Sequence, residues 1–146
     1  MGKHVVKILE ANFVTHDVKR FKVEKPAGYS FIPGQATDVA INKDGWQEKF
    51  RPFTFTSVAK QDYLEFMIKI YTDHPGVTNE LSKVNAGGEL ILQEPFGAIT
   101  FKGPGVFIAA GAGITPFLAI LRDLAKSKHA QGNMLLYTNQ TSEDVI

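Results

Sequence analysis

The chain has no cysteine. That excludes disulfides, a thiolate nucleophile and cysteine-ligated zinc or iron–sulfur centres, and it suits a reducing cytoplasm. It also lacks a charge excess: 16 Lys and Arg against 15 Asp and Glu leave a net charge of +1. No long-range field is therefore available to gather nucleic acid or an anionic membrane. No apolar run approaches the roughly 20 residues of a membrane-spanning helix. The opening "MGKHVVKILE" has no long apolar stretch of the kind a signal peptide needs, and Val6 stands where N-myristoylation prefers Ser or Thr. The four histidines (His4, His16, His74, His129) are scattered, with no i, i+4 pair, so no metal centre is expected.

What is present is enough apolar material for a core, 44% of 146 residues, with 21% charged. Residues 1–102 read as strands. "HVVKILEANFV", "VKRFKVEKP", "QATDVAI", "EKFRPFTFTS", "YLEFMIKIY" and "ELILQEP" are short β-branched and aromatic runs separated by turn signals such as Pro33-Gly34, Asp44-Gly45 and Gly87-Gly88. In the fifth run Leu64, Phe66, Ile68 and Ile70 alternate with Tyr63, Glu65, Met67, Lys69 and Tyr71, the period of a half-buried strand. Six such strands predict an antiparallel barrel or sandwich. The one interruption, "PGVTNELSKV" at 75–84, predicts a loop running into a short helix.

The character changes at Gly103-Pro104-Gly105, so a second unit is expected over residues 103–146. "VFIAA" is a continuous apolar run, as in a parallel strand covered on both faces. A glycine turn follows, then a helix with Thr115 as N-cap, Pro116 at its first position and an apolar stripe of Phe117, Leu118, Leu121, Leu124 and Ala125. "NMLLYTN" supplies a second apolar strand, completing one β-α-β unit. About forty residues cannot bury such a unit alone. It should pack on the barrel, pair with another chain as a homodimer through its unfinished sheet edge, or continue in a longer polypeptide, the last being the favoured expectation.

Three stretches carry chemistry. In "AAGAGITPF" a strand runs into Gly111-Ala112-Gly113 and then a helix, a setting in which close-approaching amides favour a phosphate; Pro116 stands where the usual dinucleotide fingerprint would place a third glycine. In "RPFTFTS" Arg51 offers a planar fork for phosphate oxygens, Phe53 a face for a stacked ring, and Thr54 a donor and acceptor for a ring heteroatom. A strict strand would put Phe53 and Thr54 on opposite faces, so one ligand could meet both only at a strand edge or twist, and Pro52 is consistent with an edge or a bulge. In "HPGVTNEL" Gly76 permits unusual backbone angles, Thr78 can cap the helix, and the amides of Val77, Thr78 and Asn79 are placed for a second phosphate. Read alone, this last stretch is better accounted for by a capped helix.

"RPFTFTS", "GVTNEL", "EPFG" and "GAGITPF", in that order and spacing, resemble the ferredoxin–NADP reductase superfamily, in particular its bacterial flavodoxin and ferredoxin reductases and oxygenase reductase domains. The resemblance covers almost the whole chain. It implies an all-β antiparallel six-stranded Greek-key barrel that binds FAD, over residues 1–102. The start of an α/β Rossmann-like nucleotide-binding domain for NAD(P), the first β-α-β unit, would follow over residues 103–146. By the same resemblance Arg51 would grip a flavin phosphate, Phe53 would replace a usual Tyr against the flavin, and Thr54 would lie near flavin N5 as the catalytic hydroxyl. Ser57 and the backbone of Lys69, Ile70 and Tyr71 would line the cofactor; Gly76, Val77 and Thr78 would meet the pyrophosphate. Gly111, Gly113, Thr115 and Pro116 would form the nicotinamide-cofactor loop. The implied activity is a cytoplasmic NAD(P)H-dependent reductase with FAD as cofactor and NAD(P)H as substrate. It would pass electrons to a ferredoxin, a flavodoxin or a small acceptor, with neither nucleic acid nor membrane involved. A non-catalytic flavin-binding or partner-docking barrel is the alternative. The family's later strands and its Cys-Gly motif have no counterpart up to Ile146.

Overall fold

The computed structural model describes residues 2–146. Strands β1 (His4–Phe13), β2 (Val18–Glu24), β3 (Ala36–Ile41), β4 (Arg51–Thr54), β5 (Tyr63–Lys69) and β6 (Glu89–Leu92) form one sheet in the order β4-β3-β6-β1-β2-β5. All its pairings are antiparallel. The two end strands curl toward each other and touch at a single bridge, Phe55 to Phe66, which nearly closes a barrel. Alternation explains the interior. Leu64, Phe66 and Ile68 of β5, and Ile70 just past its end, are buried in the core with Ile8, Phe21, Leu90 and Leu92 from β1, β2 and β6. Phe31 stacks on Phe55 with ring centroids 4.2 Å apart, filling the barrel where it closes.

Between β5 and β6 lies the short helix α1 (Val77–Leu81), and its placement depends on a buried cation. Lys19 on β2 is 2% exposed, and its Nζ donates to the carbonyls of Leu81, Ser82 and Val84 at 3.2, 3.1 and 2.7 Å. These carbonyls lie at and just past the end of α1, where intrahelical donors run out; that of Leu81 also accepts the Val84 amide at 3.2 Å. Burial lowers the pKa of Lys19.

The second unit is β7 (Val106–Ala110), a 3-10 turn over Gly111–Ile114, helix α2 (Thr115–Lys126) and β8 (Met134–Thr138), with β7 and β8 parallel. Two expectations are corrected. Thr115 is not the N-cap: the helical run begins earlier, in the 3-10 turn, and the Thr115 hydroxyl donates to the Ala112 carbonyl at 3.0 Å. Nor is the buried face of α2 the stripe read from the sequence. Pro116, Ala119, Ile120 and Leu124 are buried, Phe117, Leu118 and Leu121 are half-buried, and Ala125 is exposed. The helix is shared between the barrel and its own sheet, so its apolar surface is wider than one stripe; Phe117, for example, meets Phe107 of β7 edge-on at 5.2 Å. The apolar β7 and β8 are covered on one face only. Val106, Ile108, Met134 and Leu136 stay exposed, and both sheet edges are open. Among the described residues no helix is long and apolar enough to cross a membrane.

Candidate functional site: a groove between two diverging strands

β4 pairs only with β3, and β5 only with β2. They meet at the Phe55–Phe66 bridge and at the Thr56 amide, which donates to the Glu65 carbonyl at 2.8 Å. On the Arg51 side of that closure the strands diverge. The gap is a cleft of about 230 Å³ lined by Pro52, Phe53 and Thr54 on one side, Met67, Ile68, Lys69 and Tyr71 on the other, and Thr78, Ala112 and Thr115 beyond. It runs into a second cleft of about 330 Å³ lined by Arg51, His74, Pro75, Gly76 and Val77. Pro52, Phe53, Tyr71 and Thr78 line both, so the two are one groove. Phe53 and Thr54 reach it together because it lies along the free edge of β4, where residues from either face are accessible. Pro52 is tolerated there for the same reason.

Arg51 is exposed, makes no ion pair among the described residues, and donates only to the neighbouring Phe50 carbonyl, at 2.7 Å. Its charge is thus not neutralised by the fold. Gly76 faces it across the groove as the N-cap of α1, but not for the reason the sequence suggested. Its φ of −177° is extended backbone that any residue adopts. An added Cβ there would come no closer than 3.8 Å to any atom, and that atom is in the His74 ring. Thr78 does not cap the helix either. It sits in the first turn, where its hydroxyl accepts the Tyr71 amide at 3.4 Å. No side chain caps α1, which leaves its first amides for a group in the groove.

The ends of β7 and β8 open on a further cleft of about 380 Å³, lined by Ala110, Gly111, Thr138, Asn139, Gln140 and Asp144 and, from the barrel side, His16, Asp17 and Lys69. Carboxyl ends of parallel strands are where α/β sheets take their ligands. Gly111 has φ +54°, a left-handed conformation that favours glycine, whereas Gly113 is exposed and a Cβ added to it would meet only open space. Asn139 Oδ1 is a buried polar atom with no hydrogen-bond partner, as fits a site completed by a polar ligand. Lys69 lines both this cleft and the β4–β5 groove, so the two cavities adjoin at that residue. His16, Asp17 and Asp144 bring potential metal ligands within 4.8 Å of one another, but Lys69 Nζ stands 3.6 Å from Asp17 and already supplies a cation there. Hydrogen bonds from Thr141 hold Asp144 below the usual carboxyl range.

Three residues singled out from the sequence turn away from these cavities. The Ile70 amide donates to the Asp17 carbonyl at 2.7 Å and its side chain is in the core. The buried Ser57 hydroxyl accepts the Glu65 amide at 3.1 Å. Pro116 is buried within α2. Conversely, Glu65 went unnoticed. By alternation it belongs to the outer face of β5, yet it is 3% exposed. Its carboxylate accepts Arg20 Nε, Thr56 Oγ1 and Arg122 Nη1, each at 2.7 Å. No local signal could reveal this, because Arg122 is 57 residues away.

Compared with known proteins, the chain matches the family model of the oxidoreductase FAD-binding domain over residues 5–101 and that of the oxidoreductase NAD-binding domain over residues 107–146. It is 32% identical over 127 residues to the reductase component of propane 2-monooxygenase from Rhodococcus jostii, covering 84% of this chain and 34% of that protein. It is 27% identical over 177 residues to NADH-cytochrome b5 reductase 1 of Homo sapiens, covering 99% and 58%. Its fold is that of a ferredoxin NADP+ reductase from Neisseria gonorrhoeae solved with bound FAD and NADP, with TM-score 0.86 and 22% identity, covering 99% of this chain and 61% of that one. The chain therefore spans between about a third and three-fifths of the length of these relatives.

Proposed function

Because this chain belongs to the oxidoreductase FAD-binding family, within the ferredoxin–NADP reductase superfamily, we propose that it holds FAD in the β4–β5 groove and receives NAD(P)H at the ends of β7 and β8. When bound, the flavin would take a hydride at N5 from the nicotinamide and pass electrons to an acceptor. The protein's part is binding and orientation. The observation that carries this reading is the continuity of the cavities. One groove joins an unpaired guanidinium and an uncapped helix start to a flat aromatic and a hydroxyl, and a second cleft adjoins it at Lys69.

In this reading Arg51 and the amides of Val77 and Thr78 hold the pyrophosphate, while Phe53 and the backbone of Lys69 and Tyr71 flank the ring. Thr54 lies beside the ring's reactive edge, where its hydroxyl can donate to N5 and steady the reduced state. Gly111 and Ala112, with Asn139, receive the nucleotide of NAD(P)H, and residues 1–102 and 103–146 serve as the two cofactor units. The acceptor is a redox protein of the ferredoxin, flavodoxin or cytochrome class, since the relatives named above are reductases and reductase components.

Purified chain incubated with FAD should retain a flavin absorption spectrum after gel filtration, and that spectrum should bleach on anaerobic addition of NADH or NADPH. A chain that takes up no FAD ends the proposal. Arg51→Ala should weaken FAD binding about 10- to 150-fold, the loss of one charge-assisted hydrogen bond. Fluorescence titration would show this, and an unchanged dissociation constant would remove Arg51 from the site.

A further inference from the structure

We infer that Arg122 is a positioning residue: by binding the point where β4 and β5 close, it sets how far the nucleotide turn stands from the flavin groove. The inference rests on the reading of the groove given above. Arg122 Nη1 donates both to the Thr56 carbonyl and to Glu65 Oε1, each at 2.7 Å. Thr56 lies two residues past Thr54, and Glu65 two before Met67, so this contact sits just beyond the closed end of the groove that Thr54 and Met67 line, without lining it. Seven residues, two helical turns or about 10 Å, separate Arg122 from Thr115, which places the two on one face of α2. Thr115 and Ala112 form the wall of the same groove. Among the described residues, the only side-chain hydrogen bonds that cross from α2 to the barrel are these two. The buried residues of α2, Pro116, Ala119, Ile120 and Leu124, are all apolar, with Ile120 reaching Gly34 of the barrel, and apolar contact is non-directional. It allows the helix to slide; the Arg122 fork does not.

Glu65 keeps Arg20 and Thr56 when Arg122 is lost, so the barrel closure survives without it. This separates positioning from support. Arg122→Met retains the aliphatic stem and removes the donors. In the chain as it stands, the variant should bind FAD within about twofold of wild type, because neither Arg122 nor its partners Thr56 and Glu65 line the groove and the residues assigned to the phosphates share no partner with them. Amide hydrogen exchange over residues 111–117 should accelerate about tenfold or more, with Thr56 and Phe66 still protected. Arg122→Lys should restore protection, since one nitrogen makes both bonds and an ammonium can do the same. With the bound FAD first reduced anaerobically by dithionite and an oxidised nicotinamide dinucleotide then added, the long-wavelength charge-transfer absorbance of the stacked rings should weaken in Arg122→Met and return in Arg122→Lys. Unchanged exchange at 111–117, or FAD affinity falling in step with the loss of protection, would overturn the inference. If wild-type chain takes up no FAD, the functional reading falls instead, and the exchange measurements still decide whether Arg122 holds α2 in place.

Discussion

Glu65→Leu should lower the free energy of unfolding by about 3 kcal/mol, at the low end of the cost of removing one partner from a buried ionic network. The low end applies because the two arginines are not stranded. Arg20 keeps Glu10, at 3.1 Å, and Arg122 keeps the Thr56 carbonyl, and both side chains reach water. What is stranded is the hydroxyl of Thr56, in a residue with no exposed surface, which loses the carboxylate it donates to. For a chain of this size the loss corresponds to a fall in Tm of roughly 6–12 °C. A change in urea or thermal midpoint within error of wild type would show that the carboxylate does not hold the strands together.

The same residue predicts a pH dependence. Burial pushes the Glu65 carboxyl up, but hydrogen bonds from Thr56, Arg122 and Arg20 together outweigh it and hold the pKa below its ordinary value of 4.5. A carboxyl with a depressed folded-state pKa binds fewer protons folded than unfolded. Its stabilisation is therefore full above pH 4.5 and declines as the pH falls through the folded-state value. Glu65→Gln keeps the shape and an acceptor but cannot ionise. Its deficit relative to wild type should be largest at neutral pH and shrink toward pH 3. Urea unfolding of both proteins at the two pH values measures the difference, and a constant deficit would mean that the carboxylate's charge is irrelevant.

Gly34→Ala should be similarly costly, for a reason of backbone rather than charge. Gly34 has φ +104°, and a Cβ built there would lie 2.2 Å from the Ile99 carbonyl oxygen and 3.2 Å from Ile120 Cδ1. The first of these atoms belongs to the main chain leading into β7, so no rotamer change relieves the clash. A strained φ costs about 1–3 kcal/mol and overpacking about 1–3 kcal/mol, so roughly 3 kcal/mol or more is expected. Gly28, with φ +77° and nothing within 4 Å, isolates the first contribution. Gly28→Ala should cost about 1 kcal/mol, and the two variants compared by thermal unfolding separate strain from collision. Equal effects would mean that the Gly34–Ile99 approach relaxes freely. Because Ile120 is on α2, the collision should also loosen the wall of the groove.

Some of this molecule was legible residue by residue. The period-two pattern of β5, the punctuation by Pro33-Gly34, Asp44-Gly45 and Gly87-Gly88, and the change of character at residue 103 come from local backbone preferences and one-sided burial, which operate over a few neighbours. The ordered motifs, from Arg51 and Phe53 through Gly76 to Gly111, carry the family resemblance in the sequence itself. Local signals misled where an element's environment is set by something distant. Thr115 has the chemistry of an N-cap, but the chain was already turning at Gly111. Glu65 has the position of a solvated residue, but an arginine from α2 covers it.

By itself, then, the amino-acid order determined the strands, the α1 and α2 segments and the residue types able to hold a phosphate and a flat ring, because propensity and alternation are short-range. Only the tertiary structure decided that β4 and β5 meet at Phe55 and Phe66 and then part, that Phe53 and Thr54 face one groove, and that Glu65 and Arg122 join across 57 residues. Those outcomes depend on barrel closure and on helix docking, where the partners are brought together by the curvature of a whole sheet and no neighbouring residue carries the information.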